Sequence, residues 1–423
     1  MLDRKKAPPI RDISQLKLAK PTIHTLDNGI RVYEINMGTQ EVLKVELVFN
    51  AGRPYEDKKQ IARTTARLLR EGTKHHNSSQ LAEQFEFYGS TLTFPINLDH
   101  TNVVLYCLKK YFDQQLPLLA EILTEPIFPQ SEIDSLLQNS KQRLQLDLAK
   151  NDVVAYRKFT AFVFGEDHPY GYNSSPEIFD SITRKDLIHH HAQNFHGGNC
   201  KIFVSGKTDA STITVLNKYL GQIPVKPARE PNALVLTDTP VEKIKITSKD
   251  TIQSAIKIGC RLFNRKHEDF YGMFILNTVF GGYFGSRLMT NIREDKGYTY
   301  NIFSALDPMI FDGYFYIGTE VGNEFLSDTL KEIYLEMDRL TTELIQPEEL
   351  QMVRNYLLGN ILTNVDGPFN NADIIKTLVM DQRDENQFEI LVDTVKNISA
   401  TSLRTLAQKY LKKEAMWEVV VGA

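Results

Sequence analysis

Gly89-Ser-Thr-Leu-Thr-Phe-Pro-Ile-Asn-Leu-Asp99 lies against Gly297-Tyr-Thr-Tyr-Asn-Ile-Phe-Ser-Ala-Leu-Asp307 without a gap. The leading glycine, Thr91/Thr299, Leu98/Leu306 and Asp99/Asp307 recur at one offset. Further on, Ile182 to Gly206 runs parallel to Ile398 to Gly422 with one residue of slip. There Leu187/Leu403, Ala192-Gln193/Ala407-Gln408 and Phe195/Tyr410 correspond. Recurrence at a long, fixed spacing marks a duplicated unit. At 423 residues the chain is also too long for one ordinary core. Strand pairs joined by short turns, with helical runs between them, predict an α+β fold. Each half is expected to be a largely antiparallel sheet with helices packed on it.

Reading outward from that repeat, Thr22 to Tyr33 is expected to form two short strands about the Asp27-Asn28-Gly29 turn, where Asn and Gly supply positive φ. Glu41 to Phe49 alternates, with Leu43, Val45, Leu47 and Phe49 on one face and Lys44 and Glu46 on the other, which predicts a half-buried strand. Helices are expected over Lys58–Arg70, up to Gly89 as a cap, over Phe112–Leu123, from Pro129 past Leu144, over Asp180–Phe195 and over Ser211–Leu220. Residues 1 to about 20 read as an extended arm packed on a neighbour. Pro224, Pro227, Pro231 and Pro240 mark residues 223–245 as the linker between domains 1–222 and 246–423. The second half repeats the order of elements, ending in a helix over Thr401–Leu411 and a strand over Met416–Val421.

The chain is 42% hydrophobic and 24% charged, enough apolar material for sizeable cores. Mean hydropathy is −0.29, and no apolar run reaches the ~18 residues that span a bilayer. The N-terminus has no apolar segment behind its charges, so no secretory signal is expected. A net charge of −4 argues against a nucleic-acid or anionic-membrane binder. Cys107, Cys200 and Cys260 are sparse and lack CxxC spacing, which predicts buried free thiols and no cysteine zinc site.

The candidate site lies in Phe284-Gly-Ser-Arg-Leu-Met-Thr-Asn-Ile-Arg-Glu-Asp-Lys-Gly-Tyr-Thr-Tyr300. An apolar helical run, Met273 to Phe280, and Gly281-Gly282 precede it, and an alternating strand is expected to start at Tyr298. Arg293 and Tyr300 would then sit at opposite ends of a short connection. The plain reading is a helix-end arginine near carbonyls and a core tyrosine. The functional reading makes them donors to a developing oxyanion. His75-His76 reads as a solvated loop pair and His189-His190-His191, with His196, as solvated helix-face residues, because neighbours on a helix point apart. His168 reads as loop packing.

Over nearly its whole length the chain resembles the M16 peptidases, the pitrilysin and mitochondrial-processing-peptidase group. The residues that carry this are Leu26-Asp-Asn-Gly-Ile-Arg-Val32, Arg70-Glu-Gly-Thr73, Gly89, Phe164 to Tyr170, Gly281-Gly-Tyr-Phe-Gly-Ser-Arg-Leu288 and Arg293-Glu-Asp-Lys-Gly-Tyr-Thr-Tyr300. The resemblance implies two homologous α+β domains of the LuxS/MPP-like metallohydrolase type, forming half of a clamshell. It also implies an inverted zinc motif, His-x-x-Glu-His, on the first helix, with a distal acidic ligand. Counted back from Gly72-Thr73, that motif falls on Arg63-Thr-Thr-Ala-Arg67. Both ligand positions are Arg and the base position is Ala66. The distal ligand position falls near Gln145 to Asp147.

By resemblance, Arg293 and Tyr300 match the pair that binds the peptide and polarises its carbonyl. Two-subunit M16 peptidases divide the labour between a zinc-bearing subunit and a zinc-less one that keeps this pair. The expectation is therefore a non-catalytic subunit with no metal of its own. It would pair with a zinc-bearing M16 paralogue, or with itself, and bind unfolded peptides. The short glycine run 281–285 and the absence of an Arg/Ser-rich leader favour a bacterial-type protein in the cytoplasm, or in the periplasm where a partner is exported. The alternative is a structural or peptide-binding protein with no part in proteolysis, like the core subunits of respiratory complexes that share this fold. A lone protease with a different mechanism is disfavoured, since no Ser/His/Asp or Cys/His arrangement stands out.

Overall fold

The computed structural model describes residues 16–234, 240–248 and 251–422. Most of the N-terminal arm and part of the linker lie outside the described residues. In chain order the first half runs β1 (Thr22–Thr25), β2 (Arg31–Asn36), β3 (Val42–Phe49), α1 (Ile61–Leu68), α2 (Ser78–Phe87), β4 (Thr91–Thr93), β5 (Thr101–Leu108), α3 (Phe112–Thr124), α4 (Gln130–Leu148), α5 (Asn151–Phe164), α6 (Pro176–Ser181), α7 (Arg184–Asn194), β6 (Cys200–Gly206) and α8 (Ala210–Leu220). The second runs β7 (Lys243–Thr247), β8 (Gln253–Leu262), α9 (Phe270–Phe280), β9 (Ile302–Pro308), β10 (Gly313–Gly322), α10 (Leu326–Thr342), α11 (Pro347–Asn364), α12 (Gly367–Met380), α13 (Gln387–Asn397), α14 (Ala400–Tyr410) and β11 (Trp417–Gly422).

The duplication is visible in the sheets. Their strand orders are β1-β2-β6-β3-β5-β4 and β7-β11-β8-β10-β9, so the second repeats the first from β2 onward. Each sheet is antiparallel apart from one pair, β2 with β6 and β7 with β11. Gly89 and Gly297 both take left-handed φ, +63° and +68°, which a side chain would resist. Beyond those glycines the gapless alignment fails. Asp99 lies before β5, whereas Asp307 lies inside β9, because the second hairpin is longer. The one-residue slip is not needed in the later repeat. Thr183 and Ser399 cap α7 and α14 in the same way, and Gly206 and Gly422 end β6 and β11. β7 begins at Lys243, inside the stretch read as linker.

The largest departure from the sequence reading is at β3. All but the first of its residues are buried, including Lys44 and Glu46 at 3% and 2% exposure. A half-buried strand was expected because the helix that covers the polar face comes from the other half. α12 packs on β2 and β6, joining Ala372, Ile375 and Met380 to Tyr33, Ile35, Val48 and Phe203. Its counterpart α5 packs on β8 and β11, placing Ala155, Phe159 and Val163 in the second core. Equivalent helices are thus exchanged between the halves. The start of the described chain follows suit: Leu16 is buried in the second core and the Ala19 N–H donates to Asn371. No neighbouring molecule is needed to cover it.

Buried charge needs a partner. Lys44 donates to Asp373 at 2.7 Å and lies 3.1 Å from Glu46, and Lys376 reaches Glu46 at 2.8 Å. Burial opposes the charge on Lys44, but Glu46 and Asp373 outweigh it and hold its pKa above the usual value. Glu46→Met leaves Lys44 with half-exposed Asp373 alone. The expected loss is about 3 kcal/mol of stability, read from urea unfolding. A loss below about 1 kcal/mol would show that the network does not hold α12 to the sheet.

Candidate functional site

α1 begins after Gln60, which sits in left-handed backbone (φ 69°) and is buried. Such a conformation in a non-glycine residue costs roughly 1 kcal/mol or more and persists only where neighbours enforce it. Here the Gln60 N–H donates to the Tyr172 hydroxyl at 3.1 Å. Tyr172 in turn donates to Glu56 at 2.6 Å, and Glu56 accepts from the Ala62 N–H at 2.9 Å. Arg53 lies 4.1 Å over the Tyr172 ring and donates to the carbonyls of Pro169 and Tyr172. The His168-Pro-Tyr-Gly-Tyr172 loop is therefore the brace that sets the start of α1. His168 is buried, stacked on Phe164 and accepting from the Tyr170 N–H, as its reading as loop packing requires. Tyr170 donates to Asp99, which also accepts from the Ile310 N–H of the second half.

Burial pushes the Glu56 carboxyl up to about 7, against the pull of Tyr172 and Arg53. A raised folded-state pKa means that the native state holds the proton while the unfolded chain has released it. Stability therefore falls as pH climbs from about 4.5 to about 7 and is level above that. Glu56→Gln is expected to flatten this slope. At pH 8 it should raise stability by about 2 kcal/mol, less than the full shift implies because the carboxylate is only partly buried. Thermal melts at pH 5 and pH 8 check it; equal pH dependence in both proteins would refute the assignment.

The expected zinc-motif positions lie on one stretch of α1. Ala66 is buried, whereas Arg63 and Arg67 are exposed. They face a cleft of about 380 Å³ between α1, α4 and α5, shared with Arg143, Asp147 and Arg157. Partial desolvation against the cleft wall, then the charges of Arg67 and Arg53, lower the Arg63 pKa, and partial desolvation and Arg53 lower that of Arg157. Of the stretch expected to hold the distal ligand, Asp147 lines the cleft and Gln145 does not. Asp147 is occupied by Arg143 at 3.1 Å and Lys150 at 2.9 Å. The donor set does not fit zinc. Guanidinium stays protonated and offers no lone pair, and a single paired carboxylate does not make a site. Among the described residues no group of three or more His, Cys, Asp or Glu is placed to hold a metal ion.

The histidines are less solvated than expected. His190 and His196 are buried, and His191 is partly buried, stacked on Phe195 and bonded to the Leu123 carbonyl. α7 packs against α1, so the helix face that looked polar is an interior one. His75 and His76 pair with Glu125 and Glu121. Cys107, Cys200 and Cys260 are buried free thiols.

Arg293 falls in a π-helical turn, Met289–Asp295, pinned by buried Met289 and Ile292. Its guanidinium lies 4.5 Å over the exposed Phe284 ring. β9 starts at Ile302, not at Tyr298, because Tyr298 turns aside to stack on Phe325 at 4.9 Å. Tyr300 is therefore not a strand residue, and it is 90% exposed with no partner among the described residues. The segment is held by its neighbour: Thr299 donates to the Glu320 carbonyl at 2.7 Å. Burial, then the charge of Asp152, push the Glu320 carboxyl up, and Asp152 pairs with buried Lys257 at 2.6 Å. Asp152 opens α5, and Arg157 of the cleft lies roughly one and a half turns further along it. Arg143 and Arg157 were missed in the sequence. Their only signal there was the i,i+4 spacing of Arg143 and Asp147.

Two duplicated α+β sheets with exchanged helices, and a first helix where a metal motif is expected, define the class. The chain belongs to the M16 peptidase family. Residues 31–162 match the insulinase (peptidase family M16) model and residues 181–357 the peptidase M16 inactive domain model. An uncharacterized zinc protease of Rickettsia felis is 26% identical over 80% of this chain and 82% of its own. A non-peptidase homolog, YmxG, of Helicobacter pylori is 26% identical over 75% of this chain and 74% of its own. The crystal structure of a peptidase M16 inactive domain from Pseudomonas fluorescens superposes with a TM-score of 0.85, at 21% identity, covering 95% of this chain and 98% of that one. At the positions where the zinc ligands and base were expected, α1 of this chain carries Arg63, Ala66 and Arg67.

Proposed function

We propose that this chain is the zinc-less subunit of a heteromeric M16 peptidase. It binds an unfolded peptide through Arg293 and Tyr300 and completes the chamber of a zinc-bearing paralogue. The observation that carries this reading is Tyr300: its ring and phenol stand almost wholly in solvent, on a segment fixed by Thr299 and Tyr298. A rigidly presented, unpartnered donor suits a ligand that arrives from outside, and the Arg293 guanidinium has no carboxylate partner among the described residues. The family's inactive-domain model over residues 181–357 and a relative described as a non-peptidase homolog support it. No helix among the described residues is long and apolar enough to cross a membrane. The proposed place of work is the cytoplasm, or the periplasm with an exported partner.

The test is co-expression with a zinc-bearing M16 paralogue, followed by zinc content and hydrolysis of unfolded peptides. Activity and one zinc per heterodimer are expected only in the mixed complex. Stoichiometric zinc and activity in the isolated chain would overturn the reading. A homodimer that binds peptides and stays inert with every paralogue would favour a purely peptide-binding role.

A further inference from the structure

We propose that the arginine-lined cleft between α1, α4 and α5 is a binding site for peptide carboxylates, and that it gives this chain a preference for acidic segments. The inference deepens the peptide-binding reading above and rests on it. Four guanidiniums, of Arg63, Arg67, Arg143 and Arg157, line one cleft of about 380 Å³. Only one carboxylate, Asp147, shares that lining, and it is already held by Arg143 and Lys150. Arg157 is partly satisfied by the Ser174 carbonyl at 2.6 Å. Arg63 and Arg67 have no hydrogen-bond or ion-pair partner among the described residues.

A surface that gathers four guanidiniums against one carboxylate is under net repulsion, and a bound anion relieves it. Arg63 and Arg67 are four apart on α1, so their side chains rise from one face. Guanidinium offers a planar fork of donors that matches a carboxylate, unlike a point charge. Asn139 and Ser140 on α4 add neutral groups able to bond to a peptide backbone. The ligand is a peptide because of what the cleft adjoins: α5 carries Arg157 on its wall and ties, through Asp152, Lys257 and Glu320, to the segment that presents Tyr300. On this proposal an extended chain held at Tyr300 continues along α5 to the cleft.

The experiment is isothermal calorimetry on the full chain without any partner. The probes are an N-acetylated, C-amidated peptide of alternating Glu and Gly, its Gln counterpart, and inorganic phosphate. The Glu peptide is expected to bind at least tenfold more tightly than the Gln peptide, with affinity falling as salt rises. The double variant Arg63→Gln/Arg67→Gln should lose at least tenfold in that affinity at unchanged or raised Tm, since neither side chain holds the fold. Arg67→Lys, which keeps the charge and loses the fork, should lose part of it. Equal affinity for the Glu and Gln peptides, or an undiminished double variant, overturns the proposal. Displacement of the Glu peptide by equimolar phosphate also overturns it, because the cleft would then be a general oxyanion site. Arg293 and Tyr300 stay intact and no zinc partner is present. Failure here is therefore read separately from failure of the Arg293 and Tyr300 variants in the active complex.

Discussion

Tyr300→Phe is expected to lower kcat/KM of the mixed complex by about 10²-fold, and Arg293→Ala by at least as much, with zinc content unchanged. The first loss should fall mainly on kcat. Removing one hydroxyl leaves the ring, and hence most of the ground-state contact, in place, but removes a donor to the oxyanion that forms in the transition state. Arg293→Ala removes both a charge and the contact over Phe284, 4.5 Å away, so KM should rise as well. Neither effect should arise from unfolding. Tyr300 is 90% exposed and lies before β9 rather than in it, so the phenylalanine variant loses no packing. Melting temperatures within about a degree of the parent's are the control. If both variants keep full activity in the complex, this stretch has no part in the chemistry.

Phe159→Ala is expected to cost about 4 kcal/mol, the range for a fully buried aromatic truncated to alanine. Phe159 belongs by sequence to the first half, yet it is wholly buried in the second core, near Tyr314 and Tyr316 at ring separations of 6.0 Å. The lesion should therefore weaken the second sheet's protection in hydrogen exchange more than the first's. The exchange of α5 and α12 has a companion consequence. Residues 1–222 expressed alone lack α12 over β2 and β6, and residues 246–423 alone lack α5 over β8 and β11. Each would expose an apolar sheet face, so the two segments should be insoluble singly and recover when co-expressed. Independent folding of either segment, or an effect of Phe159→Ala confined to the first sheet, would show that the halves do not share their cores.

Much of this architecture could be read from residues because it depends on local pattern. The glycines that need positive φ, the continuous apolar run of α9, and the repeated end of each half all announce themselves within a few residues. β3 could not be read correctly. Lys44 and Glu46 look like a solvent face, and only a helix arriving from more than 300 residues away makes it an interior one. The same holds for His190, whose helix face is polar by composition and covered by α1 in space. α5 was missed as a separate element because its apolar positions serve the sheet of the other half.

At the site, the identity of positions 63, 66 and 67 was fixed by the chain itself. A guanidinium cannot ligate zinc and alanine cannot act as a base, whatever surrounds them. Arg293 and Tyr300 were likewise named from sequence, although the start of the strand was misplaced by a few residues. What only the tertiary structure decided is what these residues face. Side-chain exposure and charge balance are properties of packing between distant segments, and no local pattern encodes them. The fold leaves Tyr300 bare, gathers Arg143 and Arg157 around Arg63 and Arg67, and ties the one carboxylate of that lining to Arg143 and Lys150.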